Sequence, residues 1–282
     1  MVLLIMVMLA VALLAVGIID GNRFVTVRKE FALSGLSKEC RFVLLSDLHN
    51  KVYGTKNDKV IEAIRRINPD FIVLAGDLVT SQLREDMTPG IELLRALRQD
   101  YRIYYGLGNH ESKMRQKPDQ FGDKYDRLIR AVSGKNVSVL KNEAAFLPEY
   151  NLKITGLDLD LDYFAHFKIQ KMKPGYLQET LPECEKEKCN ILIAHNPDYF
   201  EEYAQWGADL VLSGHVHGGI MRLPLLGGVI APSYKIFPEY DGGVFRTGSA
   251  AMLLGRGMGS HTIPLRFFNP AELYDVQLKI KK

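Results

Sequence analysis

The chain has 282 residues, 47% of them hydrophobic and 24% charged. These are the proportions of an ordinary globular protein, and they exclude a disordered chain, a collagen-like repeat and a pure coiled coil. The formal net charge of +3, from 36 Lys and Arg against 33 Asp and Glu, is too small to argue for nucleic acid as a partner.

The first predicted element is residues 1–19 (MVLLIMVMLAVALLAVGII), with no charged and no strongly polar side chain. As a helix it reaches about 28 Å, close to the ~30 Å hydrocarbon core of a bilayer. A buried helix of a soluble protein need not be apolar on every face, so a membrane span is expected. No Lys or Arg precedes the run, and 15–17 (AVG) is a weak cleavage match. An uncleaved single-span anchor is therefore preferred to a cleaved signal. Arg23, Arg28, Lys29, Lys38 and Arg41 follow the span, and the positive-inside rule puts the body of the protein in the cytoplasm. The alternatives are the outer side, or secretion after cleavage. Three cysteines (Cys40, Cys184, Cys189) make no disulfide framework and fit any of these sites.

After the span, 23–33 (RFVTVRKEFAL) partly alternates, as a half-buried strand does. A rhythm of strand and helix follows. Strands are predicted at 41–46 (RFVLLS), 71–75 (FIVLA), 103–107 (IYYGL), 154–157, 191–194 (ILIA) and 210–212 (LVL). Helices are predicted at 58–67, 90–97 and 120–132. Such alternation implies βαβ units and a largely parallel sheet. From Gly214 onward the chain is rich in Gly, Pro and short β-like runs, which reads as a sheet-rich layer of the same domain. Residues 1–19 are thus expected to be an anchor, and 20–282 one catalytic domain.

Five of the seven histidines fall at the carboxyl ends of predicted strands. Asp47-Leu48-His49 follows the first buried strand, and Gly76-Asp77 the second. Gly108-Asn109-His110-Glu111 follows the third. His195-Asn196 and Gly214-His215-Val216-His217 follow the last two. In open α/β sheets the functional crevice lies at those ends, so five polar segments are expected to converge. In extended chain, residues i and i+2 share a face. Asp47 and His49 are therefore expected to point at one ion, and His215 and His217 to send two imidazoles into the same cleft. Carboxylate, imidazole and amide oxygen without thiolate suit Mn²⁺, Fe or Zn²⁺. Each piece alone means little: a D-x-H is common, and a G-D after a strand is often a turn. Their combination at successive strand ends is what points to a metal centre.

The order D-x-H, G-D, G-N-H-E, lone His, G-H-x-H resembles the calcineurin-like metallophosphoesterase superfamily. The resemblance covers about residue 41 to the end. Within the superfamily it is similar to the membrane-anchored bacterial branch with the YaeI- and YkuE-type phosphoesterases. The ending Arg256-Gly257-Met258-Gly259 and Pro264-Leu265-Arg266-Phe267-Phe268-Asn269 carries that likeness. The fold implied is a four-layer α/β/β/α sandwich preceded by one transmembrane helix. The resemblance also implies two divalent ions, manganese favoured. One would be held by Asp47, His49, Asp77 and His217, the other by Asp77, Asn109, His195 and His215, with Asp77 bridging. His110 would stand beside the substrate and Glu111 would orient its imidazole.

The reaction expected is in-line attack on phosphorus by a hydroxide shared between the ions, with His110 protonating the leaving oxygen or stabilising its charge. The chain has no G-x-S-x-G and no P-loop. The bond would be a phosphodiester or pyrophosphate, in a lipid-linked or nucleotide-linked substrate at the membrane surface. Some members of the superfamily cut the pyrophosphate of UDP-diacylglucosamine, although a shared fold does not transfer a substrate. The segment 218–243 reads first as a hairpin packed on the sheet, and alternatively as a greasy wall carrying Met221, Leu223, Leu225, Leu226, Ile230, Tyr234 and Phe237. Tyr163, Phe164 and Phe167 form a second candidate entrance. Arg222, Lys235 and Arg256 are candidate phosphate contacts; His166 reads as a surface residue and His261 has no assigned role. A non-catalytic scaffold that binds protein partners is the alternative.

Overall fold

The computed structural model describes all residues except 166–169, 220, 224–226, 230–236, 261–264 and 282. Phe167, His166, Leu225, Leu226, Ile230, Tyr234, Lys235 and His261 therefore lie outside the described residues. In chain order the elements are α1 (Val2–Gly21), β1 (Phe24–Leu33), β2 (Cys40–Leu45), α2 (Asp58–Ile67), β3 (Phe71–Ala75), α3 (Thr88–Leu97) and β4 (Arg102–Gly106). Then come α4 (Asn109–Gln116), α5 (Pro118–Phe121), α6 (Lys124–Val132), β5 (Val137–Leu140), β6 (Glu143–Leu147), β7 (Leu152–Leu157) and α7 (Tyr176–Thr180). The last are β8 (Cys189–Ala194), α8 (Phe200–Trp206), β9 (Leu210–Ser213), β10 (Arg222–Leu223), β11 (Gly227–Gly228), β12 (Gly243–Thr247), β13 (Ala250–Leu254) and β14 (Ala271–Ile280).

The strands form two six-stranded sheets, ordered β1-β14-β2-β3-β4-β5 and β12-β13-β9-β8-β7-β6. Side chains on β2 and β3 show how the layers arise. Successive residues of a strand point to opposite faces. Phe42, Leu44, Phe71 and Val73 meet Ile154, Ile191, Ile193, Leu210, Leu212 and Leu253 between the sheets. Their neighbours Val43, Leu45, Ile72 and Leu74 pack on Val60, Ile64, Leu93, Leu94 and Leu128 of α2, α3 and α6. On the far side Leu192, Val211 and Met252 pack on Leu177, Phe200, Tyr203 and Trp206 of α7 and α8. Both sheets are covered on both faces, which is why their parallel strands read as unbroken apolar runs. The result is the expected four-layer α/β/β/α sandwich.

Three details differ from the periodicity. Two sheets replace one, each parallel at its centre with antiparallel pairs added. The C-terminal third is divided: β12 and β13 extend the second sheet, whereas β14 inserts between β1 and β2 of the first. The helix expected at 120–132 is broken at Gly122 (φ 58), giving α5 and α6.

α1 projects from this body. Only Gly17, Asp20 and Gly21 of its residues are buried, and the rest of its apolar surface is largely exposed. Its 20 residues and mean hydropathy of 3.2 make it long and apolar enough to cross a membrane. All three cysteines are free thiols.

Candidate metal centre

The carboxyl ends of β2, β3 and β4 in one sheet face those of β8 and β9 in the other, and the polar segments meet there. Backbone pairing runs past the strand ends and holds them in register. The Asp47 amide donates to the Gly76 carbonyl at 3.0 Å, the His49 amide to the Asp77 carbonyl at 3.1 Å, and the Gly214 amide to the His195 carbonyl at 3.0 Å. The loops approach so closely that a Cβ on Gly76 would lie 2.6 Å from the Gly108 Cα and 2.6 Å from His195 Nδ1. Glycine there is a requirement of packing as well as of its φ of 83°.

The extended-chain reason for convergence does not hold. Asp47, His49, Asp77, His215 and His217 all sit at positive φ, at 49°, 47°, 53°, 74° and 54°. The residues of D-x-H and H-x-H are aimed by left-handed turns, and the two imidazoles of H-x-H go to different neighbours. Left-handed φ is costly for residues other than glycine and concentrates at functional sites.

One cluster is Asp47, His49 and His217, with His49 Nε2 3.0 Å from His217 Nε2, and His217 Nε2 3.4 Å from Asp47 Oδ1. A second is Asp47, Asp77 and His195, whose Nε2 is 3.2 Å from Asp77 Oδ2 and 3.7 Å from Asp47 Oδ1. His49, Asp77 and His110 form a third. His215 Nδ1 faces Asn109 Oδ1 at 2.8 Å, and the rings of His195 and His215 are 5.4 Å apart. Eight of the nine residues singled out in sequence are thus brought to one place, and the ninth, Glu111, bonds the Asp77 amide from beside them. Asp77 lies between the clusters, 3.7 Å from His49 Nε2 as well as 3.2 Å from His195.

The donors face each other in a way that calls for a cation. His195 Nδ1 lies 2.7 Å from the Ala75 carbonyl, and His217 Nδ1 lies 3.2 Å from the Gly259 carbonyl. Carbonyls only accept, so those nitrogens carry protons, and in their neutral form the rings would turn Nε2 lone pairs inward, as a histidine ligand held by an outer hydrogen bond does. Among the described residues, Asp47 Oδ2 and His195 Nε2 are buried without a hydrogen-bond partner. Buried polar atoms seldom stay so. Neighbouring donors at right angles around an ion with bonds of ~2.1 Å lie about 3.0 Å apart, the spacing of the His49 and His217 nitrogens. The residues fit divalent cations.

Electrostatics agree. Burial pushes the Asp47 carboxyl up to about 6, helped by the Asp77 charge and opposed by His195. Burial also opposes ionisation of Asp77, but His195, His110 and His49 outweigh it and hold this carboxyl well below the usual range. Burial disfavours a charged His195, yet Asp77 and Asp47 push it up to about 10. Burial and the His195 charge hold His215 well below the usual imidazole range. A buried pair of carboxylates is here asking for positive charge.

His110 and Glu111 open α4. The Ser81 amide donates to His110 Nδ1 at 2.8 Å, with Ser81 Oγ 3.0 Å away, so a neutral ring carries its proton on Nε2. Glu111 does not orient that imidazole. As the third residue of α4 it accepts from the Gly108 amide, as in a capping box, and from the amides of Asp77 and Val79. It shapes the loop that carries Asp77. Burial and the Asp77 charge push it up to about 7.

The surrounding candidates divide. Phe164 lies edge-on to His215 at 5.3 Å and is a wall of the site. Tyr163 is buried among Tyr176 and Tyr199 instead. Arg222 is paired with Asp241 and Arg256 with Glu272, so neither is a free phosphate contact. Met221 and Leu223 are half-buried and Phe237 is exposed. Sequence reasoning missed Ser81, which lies in no motif, and the task of Arg266 and Asn269. The buried Arg266 guanidinium donates to the carbonyls of His217, Arg256, Gly257, Gly259 and Asn269. An arginine within an apolar run, beside a glycine-rich loop, was the available signal.

A family model described as calcineurin-like phosphoesterase matches residues 40–219. The uncharacterized metallophosphoesterase YkuE of Bacillus subtilis is 29% identical over 247 residues, covering 85% of this chain and 79% of YkuE. An uncharacterized metallophosphoesterase of Helicobacter pylori is 29% identical over 251 residues, 87% of this chain and 61% of that protein. A transmembrane protein with metallophosphoesterase domain from Danio rerio is 28% identical over 257 residues, 88% of this chain and 54% of that one. The chain thus spans less than two thirds of the last two.

Proposed function

The chain belongs to the calcineurin-like phosphoesterase family and is a metal-dependent phosphoesterase, and on that premise we propose that it uses two divalent cations to hydrolyse a phosphodiester or pyrophosphate bond at a membrane surface. The observation that carries this reading is the Asp77 carboxylate, shared between a cluster with His49 and His110 and a cluster with Asp47 and His195. Asp47, His49, Asp77 and His217 would hold one cation, and Asp77, Asn109, His195 and His215 the other. The donor set suits Mn²⁺, Fe or Zn²⁺, and Mn²⁺ is our choice for assay. Such cations would supply Lewis acidity, making water a nucleophile near neutral pH and drawing charge from phosphoryl oxygens.

The chain's own residues do the rest. With Nδ1 accepting from the Ser81 amide, the neutral His110 ring keeps its proton on Nε2, and that N–H would hydrogen-bond the leaving oxygen and stabilise its charge as the P–O bond breaks, the proton itself coming from solvent. Glu111 fixes the backbone of Asp77. Phe164 screens His215 from solvent on one side and offers a flat apolar face to the substrate.

We further propose residues 1–19 as a membrane anchor and 20–282 as the catalytic domain, on the cytoplasmic side. The apolar length of α1 supports the anchor, as does the zebrafish relative, described as a transmembrane protein, and the side rests on the basic residues that follow the span. A tethered site meets membrane-borne esters, lipid-linked or nucleotide-linked, at high effective concentration. The test is hydrolysis of an aryl phosphodiester by chelator-treated protein with and without Mn²⁺. Turnover that appears only with Mn²⁺ is expected; equal turnover without metal would refute the reading.

A further inference from the structure

His217 stands well beyond the end of β9, so strand pairing does not hold it. Its support is the segment that leads into β14. Arg266 is 3% exposed, and its guanidinium donates to the His217 carbonyl at 2.9 Å, the Gly259 carbonyl at 2.6 Å and the Gly257 carbonyl at 3.2 Å. Asn269 Nδ2 donates to the same His217 carbonyl at 2.8 Å and to that of Gly219 at 2.7 Å. The Gly259 carbonyl that Arg266 grips is also the acceptor of His217 Nδ1–H. Backbone and ring of His217 are therefore held by one clamp.

The other side of that clamp is α1. The Arg266 amide donates to the Gly17 carbonyl at 3.2 Å. The Phe267 ring lies flush on Gly17: a Cβ there would be 2.6 Å from Phe267 Cε1. Gly17, Asp20 and Gly21, the buried residues of an otherwise exposed helix, mark this docking. The His49 side is tied to the same place, since Lys51 Nζ donates to Asn22 Oδ1 at 2.8 Å.

We infer that Arg266 is a positioning residue for His217, and that the last turn of α1, seated on Arg266 and Phe267, is part of the same support. The apolar helix is then a structural component of the catalytic centre as well as a tether. This rests on the two-cation reading. Loss of the clamp weakens the cation held by Asp47, His49, Asp77 and His217 and spares the one held through His195, whose ring is fixed to β3 by the Ala75 carbonyl.

The experiment is a Mn²⁺ titration of the full-length, chelator-treated chain in detergent micelles, followed by electron paramagnetic resonance. Wild type is expected to take up two ions and develop the exchange-coupled signal of a pair. Arg266→Lys keeps the charge but loses the fork; one ion should bind at least tenfold more weakly and the isolated six-line signal persist, the size of effect seen for outer partners of metal ligands. Gly17→Leu leaves every Arg266 side-chain bond in place and wedges the helix from Phe267. It should give the same pattern more weakly, and it decides the matter if Arg266→Lys does not fold. Two ions at wild-type affinity with a full coupled signal, in folded variants, would overturn the inference. Wild type that takes up fewer than two ions would instead refute the two-cation reading, and the role of Arg266 with it.

Discussion

His195 and His217 both present Nε2 to the Asp47 carboxylate, and they are held by unlike means. His195 directly follows β8, and its ring donates to the Ala75 carbonyl at the end of β3, so both its attachments are core strands. His217 stands at a φ of 54° in a turn, and its ring and carbonyl are held by loops around Gly259, Arg266 and Asn269. One side of the centre inherits stiffness from the sandwich core. The other is assembled from segments distant in sequence, one of them beside a membrane-type helix. The difference teaches that a centre with near-symmetric chemistry can have an asymmetric mechanical foundation.

Four measurements would break or sharpen that contrast. Asp77 is common to both sides, so Asp77→Ala should release metal from both and reduce turnover to the metal-free background. Metal content by mass spectrometry that fell by only half would show the sides to be independent. His110 is proposed as a ligand on neither side; His110→Ala should lower kcat by about 10²–10⁴ with metal content intact. Glu111 fixes the loop of the shared Asp77, and its removal should register mainly as stability. Its carboxyl is pushed from 4.5 to about 7 in the fold, so the protonated form favours the folded state. The stabilisation is full below about pH 4.5 and is lost as pH climbs through about 7, a change on the order of a few kcal/mol. Urea unfolding of the chelated protein at pH 5 and pH 8 should show that fall, and Glu111→Gln should flatten it. The smallest effect is expected of Phe164→Ala, a severalfold rise in KM with metal affinity unchanged.

A comparison of amide exchange addresses the contrast itself. Chelation should raise exchange at 215–219 much more than at 194–196, because the latter continue β8 whereas the former lie beyond the end of β9. An equal rise would remove the distinction drawn between His195 and His217.

Much of this was legible in the residues. Unbroken apolar runs such as FVLL and FIVLA marked strands buried on both faces, and polar residues just beyond them marked the site. The division into two sheets came from the family resemblance and not from periodicity, because pairing partners are set by long-range packing: β14 enters the first sheet from the far end of the chain. The gathering of Asp47, His49, Asp77, Asn109, His110, Glu111, His195, His215 and His217 was anticipated, but the reason offered, a shared face of extended chain, was wrong. Left-handed turns do the aiming, and no periodicity reports them. Glu111 was misread because its partners are backbone amides, which every residue possesses and no motif displays. Arg266 was visible only as part of an ending, since its partners are likewise backbone groups.

The left-handed turns at Asp47, His49, Asp77, His215 and His217 carry a further consequence for life in a cell. Conformations of that kind cost on the order of 1 kcal/mol or more apiece, and here they crowd two acids together away from water. A bound ion relieves the crowding and favours the native chain, by about 2.7 kcal/mol at a hundred times its Kd. Starvation for the ion would therefore thin the population of intact molecules through proteolysis as well as silence them, so that abundance itself would track the mineral supply.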